Sequence, residues 1–270
     1  MVVFPPCKIN LGLSVLSKRP DGYHNLETCF YTVPWLDVLE VISSDEFSFT
    51  STGTVIPGVP EDNLCVKAYR LLEKDFDMGP VKIHLHKIIP SGAGLGGGSS
   101  DAAYMLRLLN DKFSLNLSQK TLMDYAAQLG SDCAYFIQDK PMIGTGRGEI
   151  LKEISLSLQN RFLVIVKPHI HVSTADAFGG ITPKESSHAI ETIVCEYPVG
   201  EWKSILKNDF EETVFKKHPL IKSVKDKLYG LGAMYASMSG SGSAVYGIFN
   251  SDENIARHFP DATVWAGNVS

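Results

Sequence analysis

Residues 81–103 read Val81-Lys82-Ile83-His84-Leu85-His86-Lys87-Ile88-Ile89-Pro90-Ser91-Gly92-Ala93-Gly94-Leu95-Gly96-Gly97-Gly98-Ser99-Ser100-Asp101-Ala102-Ala103. Val81, Ile83 and Leu85 alternate with Lys82, His84 and His86, the period of a half-buried strand. Pro90 cannot donate to a ladder and marks the strand's end. Ser99, Ser100 and Asp101 are good N-cap residues. Behind them, Ala102, Ala103, Met105, Leu106, Leu108 and Leu109 give a helix with a broad apolar face. Five glycines lie within the seven positions 92–98. Without Cβ atoms, several backbone N–H groups can turn toward one point and a bulky anion can approach the chain. Strand, glycine loop and helix follow in the order that sets a phosphate at a helix N-terminus.

Other readings of the loop fare worse. A Walker A loop needs a lysine after its glycines, and none follows here. The G-x-G-x-x-G match is trivial in so glycine-rich a run, with no acidic ribose-binding residue well placed beyond it. A flexible linker rarely ends in a capped helix with an apolar face.

Working outward, the bulk properties bound the rest. The chain has 270 residues, 44% of them hydrophobic, enough for one large domain or two smaller ones. Its formal net charge is −5 and it has no basic run, which argues against sequence-independent nucleic-acid binding. No apolar stretch is long enough to span a membrane. Met1 to Pro6 lack a basic n-region and a long apolar segment, so no signal or transit peptide is expected. The five cysteines, Cys7, Cys29, Cys65, Cys133 and Cys195, are dispersed without a C-x-x-C pair, which suits reduced thiols and a cytoplasmic location. No His/Cys cluster has zinc-site spacing. His84 and His86 read as a solvated strand face.

Lys8 to Leu16 alternates with period two, with Ile9, Leu11, Leu13 and Val15 on one face and Lys8, Asn10 and Gly12 on the other. Pro20-Asp21-Gly22 signals a turn. Strands are expected over 36–42 and 47–50, and a helix over 64–76. Ser118 caps a helix running to Leu129, with Gly130 at its C′ position. Gly144-Thr145-Gly146-Arg147-Gly148-Glu149 reads as a tight strand connection. The apolar run Arg161 to Pro168 opens a second domain, dividing the chain into 1–157 and 158–270. A short helix begins at Ser173, and helix-like stretches fill 186–195, 201–216 and 219–229. Ala233–Met238 and Ala244–Phe249 pair as a hairpin around Ser239-Gly240-Ser241-Gly242-Ser243, a loop that either contacts phosphates or turns the chain.

Phosphoryl transfer needs a phosphate cradle, cations for spread charge, and an acceptor for the nucleophile's proton. The glycine loop supplies the first. Lys8, on a strand face with Asn10, is a candidate for the second. Asp132, in the small-residue run Gly130-Ser131-Asp132-Cys133-Ala134, is a candidate for the third. Spacing alone leaves Lys8 equally readable as a solvated edge-strand lysine and Asp132 as a polar cap.

Three stretches together resemble the GHMP kinase family. The glycine loop is similar to its phosphate-binding motif, Lys8-Ile9-Asn10-Leu11-Gly12-Leu13 to its N-terminal motif, and Ser239-Gly240-Ser241-Gly242-Ser243 to its C-terminal glycine motif. Four features resemble the branch that acts on a cytidine diphosphate-linked methylerythritol in isoprenoid precursor synthesis. They are Pro5-Pro6-Cys7-Lys8-Ile9-Asn10-Leu11, Arg19-Pro20-Asp21-Gly22-Tyr23-His24-Asn25-Leu26, the long Gly-Leu-Gly-Gly-Gly-Ser-Ser-Asp-Ala-Ala loop, and Leu129-Gly130-Ser131-Asp132-Cys133-Ala134-Tyr135-Phe136. Cys7 stands for the family's usual alanine, and Cys133-Ala134 for Val-Pro.

The resemblance implies an α+β two-domain fold, with an N-terminal α/β domain related to a ribosomal-protein fold and a C-terminal ferredoxin-like domain. It implies ATP-dependent phosphorylation of the 2-hydroxyl of the methylerythritol unit, with Mg²⁺ expected and its protein ligands open. By the same carry-over, Asp132 is the base and Lys8 its charged partner. Pro90, Ser91, Gly92, Ala93, Gly94, Leu95, Gly96, Gly97, Gly98, Ser99 and Ser100 wrap the triphosphate. Asn10, Gly240 and Ser241 touch substrate. Tyr23, His24 and Phe178 serve the cytosine, His24 at its edges and the aromatics at its faces. Tyr31 joins the pocket, and segment 179–200 is left unassigned. Charge and hydropathy leave no nucleic acid or membrane among the expected partners, and the oligomeric state is open. Two rivals remain. A homoserine- or mevalonate-type kinase has no obvious use for Tyr23 and His24, and a non-catalytic nucleotide sensor has none for Lys8 and Asp132.

Overall fold

The computed structural model describes residues 1–184, 188–251 and 254–269. The first half of the chain forms β1 (Val2–Val3), β2 (Pro6–Lys18), β3 (His24–Leu36), β4 (Val38–Ser43), β5 (Ser48–Gly53), α1 (Leu64–Glu73), β6 (Val81–Lys87), α2 (Gly97–Lys112) and α3 (Gln119–Leu129). The second half forms β7 (Met142–Gly146), β8 (Ile150–Glu153), β9 (Arg161–Pro168), α4 (Thr174–Phe178), α5 (Ile190–Glu196), α6 (Trp202–Ile205), α7 (Phe210–Lys217), α8 (Pro219–Gly230), β10 (Tyr235–Met238), β11 (Val245–Phe249) and β12 (Ala262–Val269). No described helix is long and apolar enough to cross a membrane.

Two compact units are interleaved in sequence. The first comprises Met1–Lys8, Pro34–Ser91 and Gly96–Lys140, and the second Ile9–Val33, Gly92–Leu95 and Pro141–Ser270. In the first unit the sheet order is β1-β4-β6-β5. β5 and β6 are parallel, joined through α1, while β4 runs antiparallel to β6. Alternation works as the sequence requires: Val81, Ile83 and Leu85 are buried, with Ile83 opposite Val41 and Leu85 opposite Leu39 of β4. The expected strand over 36–42 is interrupted at Asp37, where β3 ends and β4 begins.

In the second unit, β2-β3-β7-β8 form one sheet and β10-β11-β9-β12 another. The second is antiparallel throughout, in the strand order of a ferredoxin-like fold. A 3₁₀ turn at Ile255–His258 stands on the last crossover. Its inner face packs Val164, Val166, Ala236 and Val245 against Phe210 and Val214 of α7 and Ile221, Val224 and Leu228 of α8. The helix expected over 201–216 is broken. Leu206 is extended, and Leu13 bridges Asn208 through Leu13 N–H to the Lys207 carbonyl (2.9 Å) and Asp209 N–H to the Leu13 carbonyl (2.9 Å). Strand pairing there satisfies backbone groups that helix continuation would have satisfied. α5 starts at Ile190, and positions 186 and 187 of the expected helix lie outside the described residues.

Candidate functional site

The cradle begins where β6 ends. Gly92, Gly94 and Gly96 have φ of +62°, +77° and +69°, a region that L side chains rarely adopt. This places the start of α2 at Gly97, with Gly96 as a left-handed N-cap. Ser99, Ser100 and Asp101, expected as caps, therefore lie inside the first turns of the helix. A positive-φ glycine turns the chain into the helix without a side-chain cap. The leading N–H groups of this 16-residue helix have no intrahelical acceptor and carry the positive end of its dipole.

Within the first unit, Lys8 comes to the same place. It is 3% exposed, so both faces of β2 are buried here. Its stem lies 3.1 Å from where a Gly96 Cβ would stand, and Phe136 lies 3.0 Å from that point. Its Nζ is 3.3 Å from Oδ2 of Asp132, whose side chain is 31% exposed. Asp132 sits on the turn after α3, closed by Cys133 N–H to the Gly130 carbonyl at 3.1 Å. Gly130 has φ 170°, so it is extended backbone and not the left-handed cap that the sequence suggests. Burial pushes the Cys133 thiol up to about 12. A buried ammonium beside a partly open carboxylate, near a helix N-terminus with free N–H groups, has the parts that proton abstraction next to a phosphate requires.

A group the sequence reading passed over lies beneath the same helix. Lys87 continues the buried alternation Val81, Ile83, Leu85, and that periodicity was its signal. Its Nζ pairs with Asp37 and, at 2.8 Å, with Asp101. Burial works against the Lys87 ammonium, yet Asp101 and Asp37 together hold it above its ordinary value. Burial raises the Asp101 carboxyl, and nearby Lys87 opposes that rise.

The second unit holds the remaining candidates. Asn10 is 2% exposed; its Nδ2 donates to Thr28 Oγ1 (2.9 Å), and Thr28 in turn donates to the Gly12 carbonyl (2.6 Å). Ser239 Oγ accepts from Asn10 N–H (3.3 Å) and donates to the Gly94 carbonyl (2.8 Å). The Ala244 N–H reaches the Ala93 carbonyl at 3.1 Å. The Asn208 amide donates to the Met238 and Gly240 carbonyls, each at 2.8 Å. The C-terminal glycine loop is therefore stitched to residues 93–94 of the first glycine loop and to Asn10. Ser241 shares a hydroxyl contact with Thr174 at the start of α4 (3.4 Å). Ser239 and Asn208 were missing from the expected site, because their partners are remote in sequence.

Ser173 caps α4, its Oγ accepting from Asp176 N–H (3.0 Å), and α4 carries Phe178. Phe178 stacks on His24, centroids 4.9 Å apart and planes 20° from parallel, and meets Phe210 edge-on. Tyr23 is exposed, with the Arg147 guanidinium 4.7 Å above its ring. Arg147 comes from the second glycine cluster, which is the β7–β8 hairpin. The turn at 20–22 is held by Arg19, which pairs with Asp21 at 3.0 Å. Tyr31 is buried, and its hydroxyl accepts the Leu158 N–H at 3.2 Å.

The chain is similar to known proteins. Residues 63–140 match the family described as GHMP kinases N terminal domain, and residues 198–262 match GHMP kinases C terminal. A 4-diphosphocytidyl-2-C-methyl-D-erythritol kinase of Bacteroides thetaiotaomicron is 53% identical over 273 residues, covering 100% of this chain and 97% of the relative. A crystal structure of 4-(cytidine 5′-diphospho)-2C-methyl-D-erythritol kinase superposes with a TM-score of 0.84 at 32% identity, covering 99% of this chain and 98% of that one. A homoserine kinase from Cytophaga hutchinsonii superposes with a TM-score of 0.70 at 18% identity, over 100% of this chain and 94% of that one, and shares the fold.

Proposed function

This chain belongs to the GHMP kinase family, and from that premise we propose that it transfers the γ-phosphoryl group of ATP to the 2-hydroxyl of 4-diphosphocytidyl-2-C-methyl-D-erythritol. The products are the 2-phosphate and ADP, and the reaction serves isoprenoid precursor synthesis. The observation that carries the chemistry is the Lys8–Asp132 pair, 3.3 Å apart beside the glycine-headed helix.

In the first unit, Asp132 accepts the proton of the attacking hydroxyl as the new P–O bond forms. Lys8 orients that carboxylate through the 3.3 Å ion pair. The loop and the first N–H groups of α2 bind phosphate oxygens. In the second unit, Tyr23 and Phe178 offer ring faces to the cytosine and His24 offers a ring nitrogen to its edge. Asn10, Gly240 and Ser241 contact substrate. Tyr31 supports the pocket through its bond to the backbone at 158.

Mg²⁺ fits the donor set at the head of α2. Ser100 Oγ is buried without a hydrogen-bond partner among the described residues, and Ser99 stands beside it. These hydroxyls would hold a hydrated cation whose other ligands are phosphate oxygens and water. No group of three or more His, Cys, Asp or Glu suited to a metal occurs among the described residues. When bound, the ion neutralises charge on the phosphates.

The test is a coupled ADP-release assay with ATP, Mg²⁺ and the cytidyl substrate, run beside homoserine and mevalonate. Turnover of the cytidyl substrate alone is expected. No turnover at micromolar enzyme removes the proposal, and preference for either small alcohol reassigns the acceptor.

A further inference from the structure

We propose that Asp37, Lys87 and Asp101 form a buried clamp that fixes the two ends of the phosphate loop against each other, making them positioning residues for ATP. The inference rests on the reading of the loop as the ATP site.

The clamp is continuous. Asp37 lies between β3 and β4. Its Oδ1 accepts the N–H groups of Ile88 (2.5 Å) and Ile89 (2.8 Å), the last residues before the loop. Its Oδ2 accepts from Lys87 Nζ, and Lys87 Nζ also donates to Asp101 Oδ2 at 2.8 Å. Asp101 is in α2, just past the loop. One chain of charge-assisted bonds therefore runs from the loop's entry to its exit, and all three side chains are buried.

A second observation locates the ammonium. A Cβ on Gly97 would lie 2.9 Å from Lys87 Nζ and 2.9 Å from Ile89 Cγ2. Lys87 thus sits against the first residue of the helix, and Gly97 is the residue type that admits it.

Stability gives little reason for such a group. Buried ion clusters can often be replaced by apolar side chains of similar volume without loss of stability. Geometry gives a better one. The loop turns through three positive-φ glycines, whose backbone has the widest conformational choice. Pinning both ends restricts where its N–H groups can point. A misplacement of about 1 Å costs a catalyst on the order of a hundredfold.

Asp101→Ala separates the ends while leaving Lys87 and Asp37 as a charge-balanced pair. It is expected to weaken the affinity for a non-hydrolysable ATP analogue, and to raise KM for ATP, at least tenfold. KM for the cytidyl substrate should stay within twofold, and Asp101→Asn, which keeps an acceptor for Lys87, should recover part of the loss. Unchanged analogue affinity, or equal rises in both KM values, overturns the clamp. If Asp101→Ala does not fold, Asp101→Asn carries the test alone: a threefold or greater loss of analogue affinity supports the clamp and an unchanged affinity overturns it. Analogue binding by calorimetry needs no acceptor, so a wrong acceptor assignment leaves this result readable.

Discussion

Gly94 and Gly98 belong to one glycine run, yet the structure assigns opposite consequences to filling them. Gly94 has φ +77°, and a Cβ there would stand 2.0 Å from the Ser239 carbonyl oxygen, 2.9 Å from its carbon and 3.2 Å from Gly242 N. All of these belong to the second compact unit. The left-handed conformation costs an L residue about 1–2 kcal/mol. The overlap is with backbone, so the loops must separate, at a typical overpacking cost of about 1–3 kcal/mol. Gly94→Ala is therefore expected to destabilise by about 2–5 kcal/mol. Gly98 is helical, and outside its own helix the only atom of the described residues within 4 Å of its Cβ position is Leu64 Cδ1 at 3.9 Å. Alanine there gains helix propensity, worth up to about 1 kcal/mol. Thermal unfolding of wild type and both variants in one buffer checks the pair. For a chain of this size the Gly94→Ala midpoint should fall on the order of 10 °C. Gly98→Ala should hold or rise slightly. Equal midpoints for the two variants, or a larger fall at Gly98, would refute the reasoning from φ and Cβ contact.

Asp132→Asn should keep ATP-analogue binding within a few fold and lower kcat by roughly 10²–10⁴; an undiminished single-turnover rate removes Asp132 from proton transfer. Phe178→Leu keeps apolar bulk against Phe210 but gives up an aromatic face. If stacking holds the cytosine, KM for the cytidyl substrate rises about 5- to 150-fold, from roughly 1–3 kcal/mol, with KM for ATP steady; a shift confined to ATP contradicts the assignment. Thiol labelling tests burial. Cys7, Cys29, Cys65 and Cys133 are buried and Cys195 is exposed. Burial pushes the Cys7 thiol up to about 12 and raises Cys29 and Cys65 as well. A raised thiol stays protonated and unreactive as the buffer rises to pH 8 or 9. Partial burial, Glu191 and Glu196 raise the Cys195 thiol too, but it is exposed, so access decides: native protein should show one readily labelled thiol, Cys195, with activity kept after labelling; two or more count against the buried core.

Asp37 stands between two strand runs without a local pattern to mark it as the loop's anchor, since its partners Lys87 and Asp101 lie 50 and 64 residues away. Lys87 did carry a signal: it falls in the buried register of β6, where a charge demands a partner. The 201–216 stretch shows the reverse case. Its composition favours one helix, but pairing of Leu13 with Asn208 extends the chain there, and tertiary contact overrides propensity. Gly96 also displaced the cap from the serines, because a glycine at φ +69° can begin a helix by itself.

By itself the sequence determined what is local: the alternation of β2 and β6, the glycine loop, the apolar face of α2, the Ser118 and Ser173 caps, and through its motifs the kinase family. Only the tertiary structure decided which remote groups meet. Lys8 and Asp132 stand 124 positions apart and come within 3.3 Å. Ser239 reaches Asn10 and Gly94, and Phe178 covers His24. Periodicity and backbone freedom act over a few residues and can be read along a chain. Burial of charge, hydrogen-bond satisfaction and ring stacking depend on distances that exist only once the chain has closed.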